Sequence, residues 1–86
     1  MTVDRDDIRG CLVDMDVIRN DEPLDADDSL FERGLIDSLG ITILIAHLEK
    51  KFGITVPQHD LLPDNFDSIN AITEYVNSKL RDNSRE

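Results

Sequence analysis

Apolar residues gather into three stretches with helical spacing, separated by segments rich in acids, glycine and proline. Between Val3 and Ile18, the residues Ile8, Cys11, Leu12, Met15 and Ile18 recur every three or four positions and line one side of a helix. Thr2 stands where its N-cap belongs, with acids following in the first turn. Gly10 interrupts this helix at up to about 1 kcal/mol relative to alanine, and close packing is the one reason the pattern offers for it. A last helix, capped by Asp67 or Ser68 and reaching about Leu80, turns Ile69, Ile72, Val76 and Leu80 inward. Tyr75 falls off that line, at the rim.

The middle helix, from Ser38 to about Phe52, carries more apolar residues than one buried side requires. At about 100° per residue, Ile41, Leu44, Ile45, Leu48 and Phe52 share one side, while Leu39, Ile43 and Ala46 lie roughly opposite. One core cannot receive both sides, and an 86-residue chain has too little protein to wrap a helix completely. Leu39, Ile43 and Ala46 are therefore expected to form a partly exposed strip that contacts a partner. Lys50 continues that line and Lys51 flanks it, near the helix C-terminus where the macrodipole favours positive charge.

The connections follow from turn residues. Arg19 to Asp28, with Asn20, Pro23 and acids out of helical period, reads as a long surface connection. Asp25-Ala26-Asp27-Asp28 is not a calcium loop, because Leu30 stands where the loop needs glycine and Ile36 where it needs glutamate. Leu30 and Phe31 read as a short turn pinning the next loop to the core, with Gly34 supplying an unusual backbone angle. Gly53 and Pro57 stop the middle helix. Ile54 to Val56 is then extended, and Leu61 to Phe66 forms a one-turn helix with Leu62 and Phe66 facing inward. The expectation is an all-α bundle of three longer helices and a short one before the last, with a long first loop. It forms one domain over residues 1–86, with frayed ends at 1–2 and 81–86.

A net charge of −10 excludes direct nucleic-acid binding, since nothing supplies the positive surface that phosphates require. Twelve of the 19 acids lie in the first 38 residues, which hints at a recognition surface for basic-faced proteins. For any single carboxylate, solubility is explanation enough. One cysteine forms no internal disulfide; Cys11 falls on the apolar side of its helix and reads as a buried small hydrophobe. His47 on a helix surface and His59 in a loop have neither triad-like nor metal-ligand spacing. No apolar run approaches bilayer length and the N-terminus is acidic, so a soluble cytoplasmic monomer without membrane insertion is expected. No paired carboxylates, metal cluster, or nucleophile with its base marks an enzyme.

Chemistry concentrates at Gly34-Leu35-Ile36-Asp37-Ser38-Leu39-Gly40, a loop that runs into the middle helix and offers one hydroxyl at the junction. Asp37 or Ser38 caps that helix, and a cap alone would account for either residue. The wider stretch from Phe31 to Gly40, with Leu48 to Pro57 and Leu62 to Ile69, resembles acyl and peptidyl carrier proteins. In that family the serine of an Asp-Ser-Leu element bears 4′-phosphopantetheine. The resemblance implies an acyl-carrier-like four-helix bundle whose Ser38 receives the arm from coenzyme A through a phosphopantetheinyl transferase. It gives Asp37 the task of presenting the serine and contributing to the transferase's magnesium site. Cargo would ride as a thioester, loaded by an adenylating ligase or an acyltransferase and passed to a downstream synthase or transferase.

Fatty-acid synthase carriers usually have acids two and five residues after the serine; here those positions are Gly40 and Ile43. Enzymes that read acids on this helix would bind it poorly. The pattern is closer to stand-alone carriers, and among these the discrete carriers of polyketide and nonribosomal peptide pathways are the leading expectation. D-alanyl carrier proteins of cell-envelope modification are the alternative. From another class, the rival is an unmodified acidic adaptor that docks through Leu39, Ile43 and Ala46.

Overall fold

The computed structural model describes residues 2–84. Three α-helices form the fold: α1, Arg5–Asp14; α2, Ser38–Phe52; and α3, Ile69–Ser84. Two 3₁₀ turns, Gln58–Asp60 and Pro63–Asn65, take the place of the short helix before α3, and no strand occurs among the described residues. The fold is thus the all-helical, acyl-carrier-like bundle. α1 packs chiefly on α3 and also on α2, around a core of Ile8, Leu12, Leu30, Leu44, Leu48, Phe66, Ile72 and Val76.

α1 is shorter at both ends than its apolar spacing predicts. Its cap is Asp4, not Thr2: Asp4 Oδ1 accepts from Asp7 N–H at 2.9 Å while Asp7 Oδ2 accepts from Asp4 N–H at 3.1 Å, a reciprocal capping box. Before it, Val3 is buried and its backbone is paired with the Asn77 amide of α3, at 2.8 and 2.9 Å. At the other end Asp16 takes the left-handed conformation, φ 60°, and the N–H groups of Val17 and Asp16 bond back to Leu12 and Val13 carbonyls at 2.9 and 3.0 Å. This is the Schellman closure with an aspartate where glycine is usual. Ile18 is buried all the same, from beyond the helix. Gly10 has nothing within 4 Å of where a Cβ would stand, so close packing does not explain it.

α3 begins where Ser68 Oγ accepts from Ala71 N–H at 3.0 Å, which settles the cap in favour of Ser68. Ile69, Ile72, Val76 and Leu80 are all buried, and the helix continues through 81–84. Residues 1, 85 and 86, which the sequence assigned to frayed ends, lie outside the described residues. The segment before α3 differs in one respect from expectation. Phe66 is fully buried, its ring 5.0 Å from that of Tyr75, but Leu62 points out and is 57% exposed. Pro63 opens the second 3₁₀ turn and holds Leu62 extended (φ −104°, ψ 134°), which carries that side chain away from the core. Asp60 fastens the first turn to α3, accepting from the Tyr75 hydroxyl at 2.7 Å and Lys79 Nζ at 2.9 Å.

Candidate functional site

The loop from Ser29 to Asp37 is held at both ends before it delivers a hydroxyl to α2. At its start, the Asp67 carboxylate accepts from Ser29 Oγ at 2.8 and 2.9 Å and from Phe31 N–H at 3.1 Å, and the Asp67 carbonyl accepts from Leu30 N–H at 2.7 Å. Leu30 is fully buried beneath this clamp. Gly34 then adopts φ 68°, the left-handed angle expected of it, and Leu35 N–H returns to the Leu30 carbonyl at 2.9 Å. Asp67 had read from sequence only as one of two possible helix caps; with Ser68 doing the capping, it anchors the loop from 36 residues away.

At the loop's end Asp37 is the N-cap of α2. Its backbone is extended (φ −126°, ψ −173°) and Oδ1 accepts from Gly40 N–H at 2.7 Å. Ser38 is consequently the first helical residue, exposed, with its carbonyl accepting from Thr42 Oγ1 at 3.2 Å. The cap is therefore the aspartate, and the serine hydroxyl is not consumed by it. Beside Ser38 opens a cavity of about 170 Å³ lined by Phe31, Ile41, Thr42, Ile45, Leu61 and Pro63, largely apolar and bounded by α2 on one side and the 58–66 segment on the other.

Among the described residues the large hydrophobics left exposed are Leu39 (70%), Ile43 (53%), Leu61 (46%) and Leu62 (57%). Leu39 and Ile43, with Ala46 also exposed, are the expected strip on the outer side of α2, opposite the buried Leu44, Ile45 and Leu48. Leu61 and Leu62 join them, the first given no role by the sequence and the second expected to face inward. Leu61 shares the cavity wall with Ser38, which places it across from α2. Lys50 is exposed but belongs to the other end of the helix, about 18 Å along the axis from Ser38 at 1.5 Å per residue. There it borders a space shared with Asp14, His47 and Lys51, while Lys51 reaches Asp14 at 3.8 Å.

Neither the cysteine nor the histidines line the cavity beside Ser38. Cys11 is fully buried, and burial pushes its thiol up, away from the reactive thiolate. His47 is half-buried instead of lying on the helix surface, with Nε2 enclosed, because the end of α1 lies alongside it. His59 is exposed, 3.4 Å from Asp60. No helix among the described residues is long and apolar enough to cross a membrane.

Comparison with known proteins agrees with this geometry. A D-alanyl carrier protein of Streptococcus mutans is 42% identical over 50 residues, and those of Streptococcus sanguinis and Streptococcus suis are 40% and 39% identical over the same length. These matches cover 58% of this chain and 63% of each relative's own length. A family model described as a phosphopantetheine attachment site matches residues 6–76, from the first turn of α1 to the last buried valine of α3. The chain belongs to this family of carrier proteins, whose members bear a covalently attached 4′-phosphopantetheine.

Proposed function

We propose that Ser38 is the attachment residue and that the chain is an aminoacyl carrier of the D-alanyl type. The observation that carries the assignment is the placement of the Ser38 hydroxyl: exposed, on the first residue of a helix whose cap is supplied by its neighbour. The residues present suit the group. A phosphodiester at a helix N-terminus meets the positive end of the dipole, and Asp37, drawn onto Gly40 N–H, is kept close to the backbone. The adjoining cavity has apolar walls and, once Ser38 is esterified, one remaining hydroxyl, that of Thr42, which an amide-containing arm can use. The attached group supplies a terminal thiol, on which cargo is held as a thioester.

The roles of the chain's own residues follow. A phosphopantetheinyl transferase joins the Ser38 oxygen to the phosphopantetheine phosphate of coenzyme A as the pyrophosphate bond breaks, with the serine proton lost and 3′,5′-adenosine bisphosphate leaving, and Asp37, exposed as well as capping, contributes to the magnesium site formed with that enzyme. Leu39, Ile43 and Ala46, extended by Leu61 and Leu62, give the transferase and the loading enzyme an apolar landing around the hydroxyl. Lys50 marks the far limit of that surface. The chain performs no reaction itself, as expected of a carrier. Its relatives are named D-alanyl carriers, which favours that reading over the polyketide and nonribosomal peptide pathways that the α2 pattern had put first.

Intact mass after incubation with coenzyme A, magnesium and a broad-specificity phosphopantetheinyl transferase tests the attachment. One phosphopantetheine increment on the wild type and none on Ser38→Ala is the expected result. Equal increments on both would move the arm elsewhere, and none on a folded wild type would favour the adaptor. The cargo is tested by offering the holo protein D-alanine, ATP and a D-alanine-activating ligase: a thioester that hydroxylamine releases supports the aminoacyl reading.

A further inference from the structure

Gly40 follows Ser38 by two residues and is the most confined glycine of the chain. A Cβ on it would stand 2.8 Å from Cγ1 of Ile36 and 3.3 Å from Oδ1 of Asp37, whereas Gly10, Gly34 and Gly53 have nothing within 4 Å of the same position. Its backbone angle demands no glycine, since only Gly34 and Gly53 have positive φ among the glycines, and any other ordinary residue would favour the helix more. Space, and not conformation, requires glycine here. Cγ1 is attached directly to the branch point of Ile36, and that residue is only 7% exposed. The side chain cannot swing into solvent. Relief would have to come from the backbone of Ile36, Asp37 and Ser38, or from release of the Asp37 cap.

Building on the reading that Ser38 bears the arm, we propose that Gly40 is a positioning residue for its attachment. By leaving the space above the first turn empty, it lets Ile36 seal the core and Asp37 close on the Gly40 N–H at once, and together these fix the Ser38 oxygen where a transferase meets it. A side chain at residue 40 keeps α2 helical and misplaces the hydroxyl. The same collision bars an acidic side chain two residues beyond the serine, so enzymes that read a carboxylate there are refused by packing as well as by charge.

The test compares Gly40→Ala with the wild type as substrates for the same transferase, coenzyme A and magnesium, with circular dichroism in parallel. The expected result is a fall in kcat/KM on the order of tenfold or more, located in kcat with KM nearly unchanged, from a displacement well under the size of an atom. Helicity should be undiminished. Removing the obstacle in Ile36→Ala/Gly40→Ala should return most of the rate despite a smaller core, a recovery that a merely structural lesion would not show. A wild-type rate for Gly40→Ala overturns the proposal, and so does a folded double variant no faster than the single one. Should Gly40→Ala fail to fold, the double variant is compared with Ile36→Ala alone: equal rates support the proposal and a slower double variant overturns it. A wild type that takes no phosphopantetheine removes the underlying reading, and with it this one, an outcome distinguished by its independence of residue 40.

Discussion

α2 and α3 are nearly the same length, 15 and 16 residues, and use their apolar residues in opposite ways. α3 spends its large aliphatic residues on one side and buries Ile69, Ile72, Val76 and Leu80. α2 buries Leu44, Ile45 and Leu48, then leaves Leu39 and Ile43 open beside an exposed serine. Burying an aliphatic side chain stabilises a domain by roughly 1.5–3 kcal/mol, so the open pair represents stability the fold does not collect. The difference teaches that in this bundle α3 turns its large aliphatic residues to the core, whereas α2 divides its own between the core and an open face, the one proposed to meet a partner.

The largest expected effect separates those tasks completely. Ser38→Ala should abolish attachment of the arm while shifting unfolding free energy by no more than about 0.5 kcal/mol, because an exposed hydroxyl that caps nothing is removed. Mass spectrometry and urea denaturation read the two halves of that statement, and a large loss of stability would show that the serine also serves the fold.

Next comes a pair chosen from the two helices. Ile72→Ala, at a fully buried site of α3, should lower stability by about 2–5 kcal/mol, a large part of the roughly 5–15 kcal/mol typical of a small domain. Ile43→Glu, at a 53% exposed site of α2, should leave it within about 0.5 kcal/mol yet raise the KM of the transferase. If Ile43→Glu unfolds the protein as Ile72→Ala does, the two helices are alike and the comparison fails. A smaller effect belongs to the junction: Asp37→Ala removes the cap of α2 and should cost about 1 kcal/mol, seen as a lower urea midpoint at unchanged slope.

What could be read beforehand tracks how local each cause is. The buried sides of α2 and α3 and the open strip of α2 were legible because periodicity and a count of apolar residues depend on neighbours along the chain. Gly34 was legible as a place of unusual backbone angle, and Gly53 as the stop of α2, for the same reason; both adopt positive φ. The end of α1 was not, because Asp16 adopts the left-handed angle at a place where glycine is the usual signal. Leu62 was misplaced because a helical turn and a pair of 3₁₀ turns aim the same residue in different directions. Around the junction, the helix start at Asp37 and Ser38 and the exposure of the strip were visible, while the Asp67 clamp and the collision of Gly40 with Ile36 were not. The first joins residues far apart in sequence. The second is a matter of tenths of an ångström, and in sequence it showed only as an acid missing from a familiar place.

The smallest expected effect concerns the 58–66 segment, which carries Leu61 to the α2 side and leaves Leu62 exposed but is fastened to α3. Its fastening is Asp60, whose carboxyl is held below the ordinary carboxylate value of 3.8, first by the Tyr75 hydroxyl and then by Lys79. A carboxylate depressed in the folded state adds stability that is fully present above its unfolded pKa and is lost as pH falls through the folded one. Asp60→Asn should therefore be less stable than the wild type at neutral pH, and the gap between them should close as the pH is taken below about 3.8. Since the carboxylate is partly solvated, the gap is expected to be modest and to shrink in high salt. A pH-independent gap would mean that the Asp60→Asn substitution disturbs packing and not charge. No gap at any pH would free the segment from α3, and Leu61 and Leu62 would then belong to a mobile ledge instead of a preformed part of the surface around Ser38.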